Sequence, residues 1–260
     1  MGSKPEDLIE YTRGKTSRMS VYLPSSREGR KFKSRMQSLR LKGITVTLKV
    51  LKAADWQERW KRDIKPFALT KTFDVVPLWS SSGYQRKKRI PIYLDSILSF
   101  GTGLHETTRF MAGLIEACRG QFETCLDVGT GTGILSVIAY HCGAKTVDAV
   151  DIDPMSVQAA KKNFEANGFR CRKMAAVDFA RWRTTTRYDF VAANLVTHDL
   201  LMLGPKLTTM VNPGKFLAMS GISLKNLSKI KRSFRQQPLR LLKTACGREW
   251  AALLYQREGG

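Results

Sequence analysis

From Thr107 onward the apolar positions switch regularly between two periods. Residues 107–119 (TTRFMAGLIEACR) repeat at helical spacing, and 124–129 (TCLDVG) form the short apolar run of a buried strand. Helical spacing returns over 133–142, and 146–153 (TVDAVDID) read as a second strand. Asp153-Pro154 then opens a helix, with Asp placed as N-cap and Pro in the first turn. That helix, 155–167, stops at Asn167-Gly168, a usual left-handed ending. A weak third strand precedes Asp178, and 188–194 (YDFVAAN) form a fourth. A helix over 200–211 and a strand over 214–222 follow. Residues 239–245 and 250–256, joined by CGRE, predict a hairpin. Strands alternating with helices imply an α/β fold with a mostly parallel, doubly wound sheet. The hairpin adds a C-terminal antiparallel strand.

The first hundred residues are patterned differently. Residues 20–24 (SVYLP) alternate like a short strand, 27–40 form a basic helix, and 43–51 (GITVTLKVL) are a β-branched strand. Residues 55–93 follow as a connector rich in Trp and basic residues. Its Ser-Ser-Ser-Gly and Arg-Lys-Lys-Arg tracts read as exposed loop. The expected division is a small N-terminal α/β domain over 1–54, a connector over 55–95 and a main domain over 96–260, which the length of 260 residues accommodates.

No apolar run approaches the ~18–20 residues of a spanning helix, and the polar N-terminus does not resemble a secretory signal. Five scattered cysteines without metal-ligand spacing imply reduced thiols, no metal site and a cytoplasmic location. Charge changes this picture. Forty-four Lys and Arg against 22 Asp and Glu give a net charge of +22. Such a chain repels itself unless a polyanion compensates, so nucleic acid or a particle built on it is the expected partner. A generally basic proteome is the bland alternative.

The chemistry concentrates at Asp127-Val-Gly129-Thr-Gly131-Thr-Gly133, between a strand and a helix. Glycines there permit a tight turn and close backbone approach to a ligand. A dinucleotide fingerprint would read G-x-G-x-x-G with a pyrophosphate at the helix N-terminus. Here the third glycine comes one residue early, and the G-x-G-x-G spacing after an acid points to S-adenosylmethionine. Asp151 ends the second strand, 22 residues after Gly129, where an acid can accept both ribose hydroxyls. Asp153 has a sufficient role as helix cap, so the ribose is assigned to Asp151. Asp178 could accept the adenine amino group, or be a solvated loop acid.

Further segments carry a resemblance. Phe100-Gly101-Thr102-Gly103-Leu104-His105-Glu106-Thr107-Thr108 matches the F-G-T-G-x-H-x-T-T of the bacterial ribosomal protein L11 methyltransferases. Leu94-Asp95, Asp127 to Gly133, Val150 to Pro154, Val191 to Leu195 and Ser220-Gly221-Ile222 also fit, and upstream Asp55-Trp56 through Trp60 and Lys65-Pro66 resemble the family's connector. The resemblance covers about residues 55–256. It implies a Rossmann-like class I methyltransferase that takes S-adenosyl-L-methionine and methylates lysine or N-terminal amines of a ribosomal protein. The family's cofactor-contacting positions carry over to Thr108, Gly129, Asp151 and Asn194, beside Asp127, Gly131 and Gly133 of the loop. Thr108, near a helix start, could cap the helix or touch the ligand. Asn194 could hold the methionine end or the incoming amine, and His105 is expected to anchor its loop. The chain departs from the family at Ser96-Ile97, where Pro-Gly is common. Its N-terminal domain is also shorter: one β-α-β half is recognisable where the family usually has two, and in the family that domain grips the protein substrate.

Methylation of a neutral amine needs positioning and loss of a proton, so no catalytic acid or base is assigned. Two other readings stay open here: an RNA methyltransferase, favoured by the charge, and a non-catalytic ribosome-assembly factor with the same fold. Amino-group methylation of bases usually goes with Pro-Pro-Tyr or Pro-Pro-Phe after the fourth-strand Asn or Asp. Asn194 is instead followed by Leu195-Val196-Thr197, with no aromatic to stack a base.

Overall fold

The computed structural model describes residues 8–13, 16–21, 25–39, 44–48, 65–85, 88–95 and 105–259. The chain divides into two compact units, Met1–Asp63 and Ile64–Gly260.

In the first unit, β1 (Leu8–Arg13) pairs antiparallel with β2 (Thr16–Val21), and α1 spans Ser26–Ser38. Ser25 caps α1 by accepting from the Glu28 N–H at 3.2 Å. Ser20 and Val21 of the strand expected at 20–24 thus end a hairpin strand that starts at Thr16, and residues 22–24 lie outside the described residues. The strand expected over 43–51 is corrected where it is described, because Ile44 to Leu48 lie in no ladder and are mostly exposed. β-branched alternation is a strand signal only where a neighbouring strand satisfies the backbone.

In the second unit, the described residues of the connector, 65–85 and 88–95, contain a small sheet, and the Ser-Ser-Ser-Gly tract expected as loop is helical. β3 (Phe67–Ala68), β4 (Phe73–Pro77) and β5 (Ile90–Leu94) form a small sheet, and Leu78–Gly83, which includes the serine tract, is a half-buried 3₁₀ helix. Phe73, Val75, Val76, Ile92 and Leu94 are buried, so this sheet has its own apolar filling. Arg86 and Lys87 lie outside the described residues.

The larger sheet has seven strands: β6 (Thr124–Val128), β7 (Thr146–Asp151), β8 (Lys173–Ala176), β9 (Tyr188–Asn194), β10 (Val211–Ser223), β11 (Leu239–Cys246) and β12 (Trp250–Arg257). Their order is β11-β12-β10-β9-β6-β7-β8. β12 runs antiparallel to both neighbours, and the pairs from β10 through β8 are parallel, as the hairpin and doubly wound pattern predicted. The helices are α2 (Glu106–Ala117), α3 (Ile134–His141), α4 (Pro154–Ala166), α5 (Thr197–Thr209) and α6 (Leu227–Phe234). α6 lies in a stretch for which the sequence reading predicted no helix. The central strands are apolar on both faces: Leu126, Val191 and Leu217 are fully buried on one, and Cys125, Phe190 and Ala218 on the other, as two covered faces require. Among the described residues, no helix is long and apolar enough to cross a membrane.

Strand order reverses between β6 and β9. In open α/β sheets the carboxyl ends at such a switch point frame a crevice where ligands bind.

Candidate functional site at the carboxyl ends of β6, β7, β9 and β10

Register brings the predicted residues to one level of the sheet. Val128 pairs with Val150 and with Ala193, so Gly129, Asp151 and Asn194 each follow a paired position, while Ser220 sits beside Asn194. Gly129 has φ +72°, and a Cβ there would be driven into the Leu195 side chain. Gly221 is held equally tightly: at φ +85° its Cβ would strike the Leu195 carbonyl. The glycine loop and the turn after β9 are therefore packed directly against each other.

The loop is braced by its acids. Asp127 is fully buried, and its Oδ2 accepts the hydroxyls of Thr130 (2.8 Å) and Ser136 (2.7 Å). Burial pushes its carboxyl up to about 6, an effect those two hydroxyl donors partly offset. Its Oδ1 has no hydrogen-bond partner among the described residues. Gly129 N–H donates to the Val150 carbonyl at 2.9 Å, which ties the loop to the end of β7. Gly131 N–H donates to Asp151 Oδ2 at 2.9 Å, and Asp153 N–H to Asp151 Oδ1 at 3.0 Å. Each carboxylate oxygen of Asp151 thereby keeps further acceptor capacity for a ribose. Asp153 caps α4 by accepting from Met155 N–H at 2.9 Å and the Ser156 hydroxyl at 3.1 Å. Asp178 accepts from Ala180 N–H at 2.9 Å within its own turn.

α2 closes the other side. His105 is its N-cap, and Nδ1 accepts from Thr107 N–H at 3.3 Å and contacts the Thr107 hydroxyl at 2.8 Å. The His105 ring meets Trp250 edge-on at 5.4 Å. Asn194 Nδ2 donates to Thr107 Oγ1 at 3.4 Å. Thr108 is buried, and its hydroxyl has no partner among the described residues. Thr107, beside the expected Thr108, is the one linked to Asn194, across 87 positions. Residues 100–104 of the F-G-T-G-x-H-x-T-T segment lie outside the described residues.

A groove of about 550 Å³ opens beside this level, lined by Val196, Thr197, Gly221, Lys225, Glu249 and Trp250 among others. Glu249 and Trp250 come from the turn and start of the C-terminal hairpin, and no local motif marks them.

These residues fit S-adenosylmethionine. The glycine loop permits close approach, Asp151 offers acceptors to a ribose, and the unpartnered Asp127 Oδ1 suits a cofactor that carries an ammonium and a sulfonium. Asp127, Gly129, Gly131, Gly133, Asp151, Thr108 and Asn194 would surround it. Among the described residues, no group of His, Cys, Asp or Glu is placed to hold a metal.

The chain's similarities agree with this geometry. The family model described as ribosomal protein L11 methyltransferase matches residues 3–258. A relative of that name from Staphylococcus carnosus is 30% identical over 209 residues, 80% of this chain and 67% of the relative. One from Trichlorobacter lovleyi is 34% identical over 209 residues, 78% of this chain and 68% of the relative. A crystal structure of a ribosomal protein L11 methylase from Lactobacillus delbrueckii subsp. bulgaricus superposes with TM-score 0.69 at 30% identity, covering 75% of this chain and all of that one. The N-methyltransferase NodS from Bradyrhizobium japonicum, at 12% identity and TM-score 0.50, shares the fold. The chain belongs to the ribosomal protein L11 methyltransferase family and is an S-adenosylmethionine-dependent methyltransferase of the Rossmann-like class.

Proposed function

We propose that this enzyme transfers methyl groups from S-adenosylmethionine to lysine or N-terminal amines of ribosomal protein L11 carried on a ribosomal particle. The observation that carries this reading is the family match, which runs through both units. The cofactor supplies a methyl group activated on a sulfonium. The chain's own residues have the task of presenting a neutral amine. A free lysine has a pKa of ~10.4, so the acceptor must shed a proton, which desolvation and a nearby cation both favour. Asn194 turns its Nδ2 toward Thr107, which leaves Oδ1 to accept an N–H of the amine. Trp250 and Glu249 give the groove an apolar wall and one acid, suited to a lysine stem and its ammonium on entry.

The unit Met1–Asp63 would recognise the protein substrate, and its basic helix would reach rRNA. Arg27, Lys31 and Arg35 are exposed at four-residue spacing along α1, with Lys88 and Arg89 as further basic positions near the acceptor unit's small sheet. A basic enzyme is repelled by a free basic ribosomal protein and attracted once that protein sits on rRNA. Incubation with methyl-labelled cofactor and ribosomal particles, followed by separation of protein from RNA, tests the reading. Label is expected in one large-subunit protein. Label confined to rRNA would replace the amine acceptor with a base, and label in neither fraction would favour the non-catalytic alternative.

A further inference from the structure

Between Asp199 and Glu249 the chain has no acidic residue and ten lysines and arginines. Several of these cations gather on α6. Its inner side is apolar: Ile230 and Phe234 are buried, Leu227 is partly buried against the same core, and Phe234 stacks on Tyr255 at 5.7 Å. Its outer side carries Lys229 and Arg232, with Arg235 at the C-cap and Lys225 on the 3₁₀ turn Leu224–Asn226 just before it, all four exposed. None of the four has an acidic ion-pair partner among the described residues.

We infer that the outer face of α6 is a docking surface for the phosphate backbone of RNA, set beside the acceptor groove. This rests on the reading of a ribosomal substrate, which places RNA next to the acceptor protein. Three features carry it. The face holds only positive charge, and a rigid core contact fixes its direction, so ordering it on a polyanion costs little further entropy. Lys229, Arg232 and Arg235 recur at three-residue spacing and span about 9 Å of helix axis, room for about three phosphates of one strand at about 3.4 Å each. Finally, Lys225 also lines the groove, so the basic face runs directly into the acceptor site. An anionic membrane fits less well, because the exposed α6 positions are Ser228, Lys229 and Arg232, with no large apolar side chain to insert. The basic helix over 27–40 and the Arg-Lys-Lys-Arg tract at 86–89 are contiguous basic runs elsewhere in the chain; the α6 cations form a separate set.

The test compares the full chain with a Lys229→Glu, Arg232→Glu, Arg235→Glu variant, binding a fluorescent RNA duplex of about 20 base pairs across a salt series. A second variant with the same charge change on the far side of the sheet, Lys161→Glu, Lys162→Glu, Lys173→Glu, serves as control. The α6 variant is expected to bind at least about tenfold more weakly at low salt, with a log–log salt slope shallower by about 2 to 3, while the control keeps the wild-type slope. Affinity for S-adenosylhomocysteine and methyl transfer to isolated ribosomal protein should stay as in wild type, which shows that the variant is folded. Equal slopes in the two variants, or no RNA binding by the wild type, would overturn the inference. So would loss of binding to phosphatidylserine–phosphatidylcholine vesicles with RNA binding intact. If the wild type methylates no ribosomal protein, the proposed function fails, yet the RNA slopes still decide the role of α6.

Discussion

Asp151 and Asp153 lie two residues apart at the end of β7, and their hydrogen bonds separate their roles. Asp151 holds the loop amide of Gly131 and keeps acceptor capacity facing the crevice, whereas Asp153 is committed to the first turn of α4. Asp151→Ala should weaken S-adenosylhomocysteine binding by about 1.5–3 kcal/mol, read by calorimetry, as expected for a lost charged hydrogen-bond acceptor. Asp153→Ala should instead lower stability by about 1 kcal/mol through the lost cap, with affinity nearly unchanged. Asp127 offers a pH signature. Its carboxyl, pushed up to about 6 by burial, lies above the unfolded value near 3.9. The native state therefore holds more protons between about pH 4 and 6, and this group's contribution to stability declines as pH rises through that window. Asp127→Asn removes the decline. Urea midpoints should show variant stability gaining on wild type up to about pH 6 and levelling above it; a difference that stays flat would mean the buried carboxyl does not titrate there. The sequence located these acids by their position after strands. It could not show that Asp127 is turned inward to Thr130 and Ser136, because that depends on which face of β6 the loop folds over.

Between elements, side-chain amides do much of the joining. Asn163, fully buried in α4, accepts from Asp95 N–H at 2.7 Å and donates to the Thr132 carbonyl at 2.8 Å. Asn167 accepts from Tyr93 N–H at 2.9 Å and donates to the Tyr93 carbonyl at 2.7 Å. The small sheet is thus tied through α4 to the glycine loop. Asn163→Leu leaves the buried Thr132 carbonyl without its donor, at about 1–3 kcal/mol, and should lower both the unfolding midpoint and cofactor affinity. A normal affinity in a folded variant would show the loop to be independent of this tie. α6 depends on another close contact: a Cβ on Gly204 would come within 2.8 Å of the Phe234 ring. Gly204→Val should cost about 1–3 kcal/mol of stability by overpacking, despite replacing a helical glycine. Thermal unfolding reads this directly; no loss would mean that Phe234 can move aside. The main-sheet elements were legible because each is long and periodic. α6 was not, since eight residues with three cations give too little apolar pattern, and its register comes from Gly204 and Tyr255. The sheet of β3 to β5 escaped for a similar reason: a two-residue strand and two five-residue ones carry no periodicity of their own.

At the scale of the whole molecule, the charge of +22 acts on folding and on association with opposite sign. Salt screens self-repulsion, so the unfolding midpoint should rise between low and moderate ionic strength, while association with ribosomal particles weakens over the same range. Parallel salt series of thermal unfolding and particle binding would expose the contrast, and a common sign for both would remove the polyanion explanation of the charge. The alternation of the long strands and helices from α2 to α5, the terminal hairpin, the glycine loop, the acid after β7 and the resemblance to the family can all be read along the chain. Each of these is written in contiguous residues, where period, turn chemistry and spacing act locally. Only the folded chain shows that Gly221 and Thr107 join Gly129 and Asn194 at one level, that Trp250 and Glu249 wall the groove, and that α6 turns its cations outward. Those relations join residues tens of positions apart, and the packing of a reversed strand order, which no local window contains, brings them together.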